Sequence, residues 1–314
     1  LNSIGRIFAI FAGIVTGILL PLVRQSLGGW ATTVIVLSIL SAAMMIPMCL
    51  FAKERVIERE KARDGGAEEN YTLRDMVECL RSNKYLLIFF AAPLISSLLN
   101  IGATWGLYIA RYCLGGEEIA SFVSMAVIVP TLIGAAIAVQ LCKKYDKFKI
   151  FYFSYMFALI LGIVRYIAGY ENMMVYVILN ALGGFPLGIA AILQYQFTPD
   201  CYEYGQYKTG LKMRGVTFAA QTFFTKLNGA IATAVSVFAL TLIGFKEGEG
   251  VIQAAGFADK LWTFSCLGSI IGGIGTLLIL RLYKLNDHDV QLMSKCNNGE
   301  ITREEAEAQM INRY

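Results

Sequence analysis

Long apolar stretches alternate with short polar connections along most of this chain of 314 residues. Eight of the stretches are long enough to cross a membrane as helices, since about 20 apolar residues span roughly 30 Å of hydrocarbon. Hydrophobic residues make up 56% of the sequence and charged residues 16%. The pattern predicts an all-α integral membrane protein with spans at approximately 6–24, 30–52, 85–110, 119–141, 150–168, 173–197, 214–244 and 259–283.

Basic residues are concentrated in every second connection between spans. The connections after the second, fourth and sixth spans hold 8, 4 and 3 Lys or Arg, whereas the alternate ones hold one or two each. Arg165, a few residues before one of these alternate connections, fits the same pattern. The positive-inside rule therefore predicts that the basic connections and the C-terminus are cytoplasmic. The net charge of +4 is explained by this topology and gives no reason to expect a nucleic-acid partner.

A charged segment divides the chain, because 16 of the 32 residues at 53–84 are Asp, Glu, Lys or Arg. We interpret 1–52 as the last two helices of an N-terminal bundle and 53–84 as a cytoplasmic central loop. Residues 85–284 then form a six-helix C-terminal bundle, followed by a cytoplasmic tail at 285–314. A six-span bundle after a long cytoplasmic loop resembles the layout of the second half of a twelve-span major facilitator chain. Eight of twelve helices would be present, and we expect the chain to be the C-terminal part of a longer protein.

Small residues and capping patterns predict local features of the helices. The pairs Gly13/Gly17 and Gly268/Gly272 recur at four-residue spacing, which allows helices to approach closely in lipid. The segment 183–188, with three glycines and Pro186, predicts a bend. Capping-box patterns at Thr72 and Thr302 predict two short polar helices.

Lys226 lies deep within an apolar run, about 15 Å along the helix axis from the start of that run at Val216. A cation at this depth needs a counter-charge or water, yet no Asp or Glu lies well inside any of the eight spans. Its partner would come from missing N-terminal helices, from another chain or from a substrate. The alternative is a neutral or hydrated lysine without a role.

Other polar residues in the spans allow two interpretations. Arg6 opens the first span, where an arginine sets topology or contacts a ligand. Asn100, Thr104 and Trp105 form a polar and aromatic group that suits either sugar stacking or helix packing. Embedded enzymes are disfavoured, since the spans hold no pair of acids, no His or Cys cluster for a metal and no Ser–His set. We therefore predict no enzyme activity, no cofactor and no metal centre.

Three stretches are similar to motifs of one family. They are DCYEYGQYKTG at 200–210 followed by QTFFTK at 221–226, RIFAIFAG at 6–13 and LYIARY at 107–112. On these motifs the chain resembles the glycoside–pentoside–hexuronide:cation symporters, the melibiose permease group, over its whole length. It would comprise helices V to XII of that fold. One departure is Gly210-Leu-Lys212-Met-Arg214-Gly, where the family has Gly-x-Arg-x-Glu-Gly.

The resemblance implies roles for individual residues. Arg6 would hydrogen-bond a sugar from helix V, and Gln221, Thr222 and Thr225 would face the sugar from helix XI. Lys226 would link the sugar site with a cation site whose acids lie in the absent helices I, II and IV. The resemblance places Asp200 and Glu203 in a cytoplasmic gate, which we expect to form exposed ion pairs amid Lys208, Lys212 and Arg214.

The function implied is symport of a glycoside, pentoside or hexuronide coupled to Na⁺ or H⁺, in a bacterial plasma or inner membrane. The partners would be the sugar, membrane lipid and the missing helices I–IV of the same protein. Two alternatives stay open: transport of a lysolipid or other amphiphile in the same fold, and a membrane-embedded enzyme.

Overall fold

The computed structural model describes residues 30–51, 73–212, 214–248 and 252–314, and every regular element within them is a helix or a 3₁₀ turn. The predicted first span, the pair Gly13/Gly17, Thr72 and most of the charged segment at 53–84 lie outside the described residues. The helices are α1 (Trp30–Phe51), α2 (Leu73–Ser82), α3 (Lys84–Leu99), α4 (Gly106–Cys113), α5 (Glu118–Leu141), α6 (Lys147–Ala168), α7 (Met173–Leu193), α8 (Phe197–Thr209), α9 (Arg214–Leu242), α10 (Phe257–Leu280), α11 (Asp287–Asn297) and α12 (Arg303–Gln309).

Five helical segments within the described ranges are long and apolar enough to cross a membrane. They are α5, α6, α9, α10 and the segment Met173–Thr209, in which α7 continues through a 3₁₀ turn into α8. Two further apolar helices, Ala31–Pro47 within α1 and Lys84–Leu99, are shorter. The all-α membrane architecture is confirmed, whereas the count of eight spans is not.

The predicted span at 85–110 is not one continuous helix, because the helix stops at Leu99 and restarts at Gly106. Asn100 leaves the helical conformation with ψ of 60°, and its side-chain oxygen accepts a hydrogen bond of 2.7 Å from Ser269 on α10. The Thr104 hydroxyl hydrogen-bonds that of Ser236 on α9 at 2.6 Å. These side-chain bonds tie the interrupted segment to α9 and α10. The backbone N–H groups of Thr104 and Trp105 donate within the segment, to the backbone oxygens of Ile101 and Gly102 at 3.1 and 3.3 Å, so the break leaves neither donor unpaired.

Trp105, next to this break, packs inside the bundle. Its side chain is 0% exposed, and the indole N–H donates to the backbone oxygen of Ser236 at 3.3 Å. For Trp105, helix packing is therefore the interpretation that fits this structure, whereas Thr104 is exposed and Asn100 is partly buried.

Glycines set the closest helix contacts. A Cβ atom on Gly188 of α7 would lie 2.0 Å from the backbone oxygen of Thr131 on α5, and one on Gly134 would lie 2.1 Å from that of Phe185. A Cβ atom on Gly268 of α10 would lie 2.3 Å from the backbone oxygen of Leu99. The close approach predicted at Gly268 and Gly272 is confirmed. Because α7 remains helical through Pro186, the bend at 183–188 stays a prediction.

The last two helices pack against one end of the bundle, which we call the tail end. Tyr314 makes edge or tilted ring contacts with Tyr85 at the start of α3 and Tyr204 of α8. The capping box predicted at Thr302 is confirmed, with Glu305 as its partner. The tail end thus joins α3, α8 and residues 285–314 in one packed region.

Candidate functional site: a polar stripe on α9

A stripe of polar and small residues follows one side of α9. Thr222, Thr225, Lys226, Gly229 and Thr233 are all exposed in the described structure. Their spacing of three or four residues places them on one face of a helix. We call this set the polar stripe.

Lys226 is the charged member of the polar stripe. Across the described segments, no Asp or Glu forms an ion pair with it. Its ammonium group has three donors and a full positive charge to offer on this face. The stripe can therefore bind carboxylates, or the hydroxyl oxygens of a polar ligand.

The threonine hydroxyls of the stripe are oriented by their own helix. Thr222 donates to the backbone oxygen of Phe218 at 3.1 Å, Thr225 to that of Gln221 at 2.8 Å, and Thr233 to that of Gly229 at 2.9 Å. Each hydroxyl donates its one proton in this hydrogen bond, and its oxygen lone pairs can still accept a hydrogen bond from a ligand. The stripe therefore combines a cationic donor with fixed acceptors, a combination that suits hydroxyl-rich ligands.

The other predicted ligands are placed differently. Gln221 is 9% exposed, so in this structure it lies against the bundle and not on the polar stripe. Arg6 lies outside the described residues. Asn228, two residues beyond Lys226, has a buried side-chain oxygen with no hydrogen-bond partner among the described residues. The structure thus brings Thr222, Thr225 and Lys226 together and separates Gln221 from them.

Asp200 lies in a buried charge cluster at the tail end. Its carboxylate is 2.8 Å from Lys147 Nζ at the start of α6, and the same Nζ is 3.2 Å from Asp287 at the start of α11. Asp146, the N-cap of α6, also accepts from the backbone N–H of Asp287 at 2.8 Å. The predicted exposed pairing of Asp200 is therefore wrong: Asp200 is 8% exposed and pairs with Lys147.

Glu203, the second predicted gate residue, contacts the tail. Asn297 of α11 donates through Nδ2 to the Glu203 carboxylate and to its backbone oxygen, both at 2.9 Å. Asp200 and Glu203 together tie α8 to α6 and α11.

Residues 1–287 match the family model described as MFS/sugar transport protein. The chain belongs to this family. Because the family is one of membrane transporters, the described helices are parts of a multi-pass membrane protein.

Individual relatives are more distant. The chain is 23% identical to the putative glycoside/cation symporter YagG of Escherichia coli over 92% of its length and 63% of the relative. It is 24% identical to the uncharacterized symporter YjmB of Bacillus subtilis over 75% of its length and 50% of the relative. It is also 22% identical to a putative sulfoquinovose importer of Escherichia coli over 75% of its length and 51% of the relative. The matched regions thus span about half to two thirds of these relatives.

Within this MFS/sugar transport chain, the sequence does not predict three residues that hold α8 at the tail end. In the sequence, Lys147 is one of four basic residues that set topology, and Asp287 and Asn297 are parts of a polar tail. A sequence signal for this region is the pair Asp146-Lys147 directly before an apolar run. Asp146 is a typical helix N-cap residue, and Lys147 places a positive charge beside it. The pairing with Asp200 is across 53 residues, and the helix pattern carries no information on it.

Proposed function

We propose that the full-length protein is a secondary symporter that couples uptake of a glycoside, pentoside or hexuronide to Na⁺ or H⁺ by alternating access. Membership of a sugar transport family supports the substrate class, and similarity to a putative glycoside/cation symporter supports the coupling. In this arrangement the tail end faces the cytoplasm, as the basic residues predict.

The observation that carries the proposal is the exposed Lys226 on the polar stripe. A lysine facing hydrocarbon at mid-membrane costs about 2.5–3.5 kcal/mol on insertion scales. The described segments provide no acid for it, so this face of α9 must be covered by polar structure. The N-terminal half of the transporter, with acids in helices I, II and IV, is the proposed cover.

The same arrangement explains how Lys226 would couple the two sites. A lysine and a bound cation are both counter-ions for the same carboxylates, so the position of one changes the affinity for the other. Threonine acceptors beside the lysine add hydrogen bonds to a sugar hydroxyl. An amphiphile carrier would need an apolar groove here, and the stripe presents hydroxyls and a charge instead.

Replacing Lys226 with Met in the full-length protein tests the proposal. The substitution keeps most of the volume but removes the charge, leaving a partner carboxylate unpaired in a low-dielectric crevice. That acid then tends to protonate, which impairs cation binding. We expect Lys226→Met to insert and fold but to lose cation-stimulated accumulation of labelled sugar, whereas exchange down a sugar gradient falls less.

Lys246→Met is the matched control, since Lys246 is exposed just beyond the end of α9. It should accumulate sugar like the parent protein. Accumulation by Lys226→Met at the parent level would refute the coupling role of this lysine. A parent protein that accumulates a lysolipid and no sugar would refute the proposed substrate class.

A further inference from the structure

A second polar site lies inside the C-terminal bundle, apart from the polar stripe. A partly open cavity of about 570 Å³ lies among α3, α4, α5, α6, α7 and α10, and no residue of α9 lines it. Most of its wall is apolar or glycine, and the hydroxyls of Ser124 and Ser154 donate to backbone oxygens of their own helices. Among the described residues that line it, Arg165 is the one that carries a charge.

Arg165 lies one turn before the end of α6, and its side chain contributes to the cavity wall. Its Nη1 donates to the side-chain oxygen of Asn180 on α7 at 3.3 Å. The Asn180 amide is held in this orientation because its Nδ2 donates to the backbone oxygen of Tyr176 at 2.8 Å. A topology-setting arginine would extend toward the membrane surface, but this one is turned into the bundle.

The guanidinium interacts with the Cys266 side chain of α10 as well as with Asn180, but these described neighbours do not satisfy all of its donors and supply no acid for its charge. Arg165 Nε is buried and has no acceptor within the ranges that the structure covers. No acid of those ranges forms an ion pair with Arg165. Of the acids in the loops at this end, Glu117 pairs with Arg111 and Asp259 accepts from Tyr170.

We propose that Arg165 and Asn180 form a binding site for a small inorganic anion of the halide class. A guanidinium presents N–H donors in a fixed fork and cannot lose its charge at physiological pH, so it suits an anion better than water. One water takes about 30 Å³ of liquid volume, so the cavity has room for an anion with part of its hydration shell. The surrounding helices exclude a macromolecule.

The anion would neutralise the buried cation and hold α6 and α7 together at the end of the bundle opposite the tail. A ligand that binds the folded state stabilises it in proportion to the logarithm of its concentration above Kd. The site therefore predicts that stability depends on the identity of the anion and not only on ionic strength.

The test compares purified full-length protein in sodium chloride and in sodium gluconate at one fixed ionic strength. We expect the Tm of the parent protein to rise saturably as chloride replaces gluconate. Arg165→Gln should lose this chloride-dependent shift. Arg111→Gln, which removes an exposed arginine at the same end of the bundle, should keep it.

A second variant keeps the test decisive if Arg165→Gln does not fold. Asn180→Asp places a carboxylate beside Arg165 and supplies the counter-charge from within the protein. It should fold, show a Tm independent of chloride and bind no radioactive chloride at equilibrium, whereas the parent binds one ion. A parent Tm that does not respond to chloride, or an undiminished response in Arg165→Gln or Asn180→Asp, would overturn the proposal.

Discussion

At the residue scale, the buried pair of Asp200 and Lys147 differs in kind from an ion pair at the surface. Its side chains are 12% and 19% exposed, whereas those of Glu117 and Arg111 are 45% and 50% exposed. Removing one partner of a buried pair leaves the other charge uncompensated, at a cost of about 3–5 kcal/mol. An exposed pair is worth about 0–1 kcal/mol.

We therefore predict that Asp200→Asn lowers the Tm of the full-length protein clearly, whereas Glu117→Gln changes it little. The expected loss for Asp200→Asn is on the order of 3 kcal/mol, because Asp287 is then the one acidic partner of Lys147 among the described residues. Thermal unfolding in one detergent compares the two variants. Equal Tm values for Asp200→Asn and Glu117→Gln would show that the Lys147 pair is effectively hydrated.

The positions of some of these side chains could be predicted from the sequence, and those of others could not. Thr222, Thr225 and Lys226 could be placed on one face because they lie within one helix and share its period. The inward position of Gln221 could not, since burial depends on how α9 meets its neighbours. The sequence places Arg165 close to a loop, which suggests a role in topology. The direction of its side chain is set instead by Asn180 on another helix.

At the element scale, hydropathy located the long spans because their length follows directly from the thickness of the membrane. It missed the break between α3 and α4, which is held by Ser236 and Ser269 on α9 and α10. Those contacts are tertiary, and the apolar pattern of 85–110 does not contain them.

The crossing of α5 and α7 permits a paired glycine test. Gly188→Ala should destabilise the protein by about 1–3 kcal/mol, since overpacking forces side chains or backbone to shift. Its new Cβ atom would lie 2.0 Å from the backbone oxygen of Thr131. Gly183→Ala on the same helix meets no atom within 4 Å and should be neutral or slightly stabilising.

The two glycine variants are compared by the half-life of their sugar-binding activity in detergent at one elevated temperature. We expect Gly188→Ala to inactivate faster than the parent protein and Gly183→Ala to match it. Similar half-lives for both would mean that α5 and α7 separate without cost.

At the scale of the whole molecule, Asp289 organises the tail. It is 0% exposed and accepts from the backbone N–H groups of Ile311 and Asn312 and from the side chains of Tyr314 and Asn286. Burial alone would raise the pKa of this carboxyl, but the four hydrogen bonds outweigh it and hold the pKa below its usual value. The charged form is therefore the one that the docked tail favours.

Because the pKa of Asp289 is lowered in the folded protein, docking of the tail depends on pH in a definite direction. The stabilisation is complete above the unfolded pKa of about 3.9 and is lost as pH falls through the lower folded value. We predict that amide exchange at Ile311 and Asn312, corrected for intrinsic rates, stays slow near neutral pH and accelerates below about pH 4.

Asp289→Asn should expose these two amides to exchange at neutral pH, since an amide oxygen accepts less strongly than a carboxylate. Glu304→Gln, in the exposed first turn of α12, is the control and should leave their exchange unchanged. Slow exchange in Asp289→Asn would assign tail docking to the aromatic contacts of Tyr314 instead.

The segment Met173–Thr209 is long enough that a small tilt displaces its ends by different distances. Its 37 residues extend about 55 Å at 1.5 Å per residue, well beyond roughly 30 Å of hydrocarbon. A small tilt about a pivot near its crossing with α5 is magnified at its far tip, where Asp200 and Glu203 meet their partners. A fluorescent probe on the exposed Lys208 would consequently register a larger displacement than one on Met174 near the opposite end of the segment.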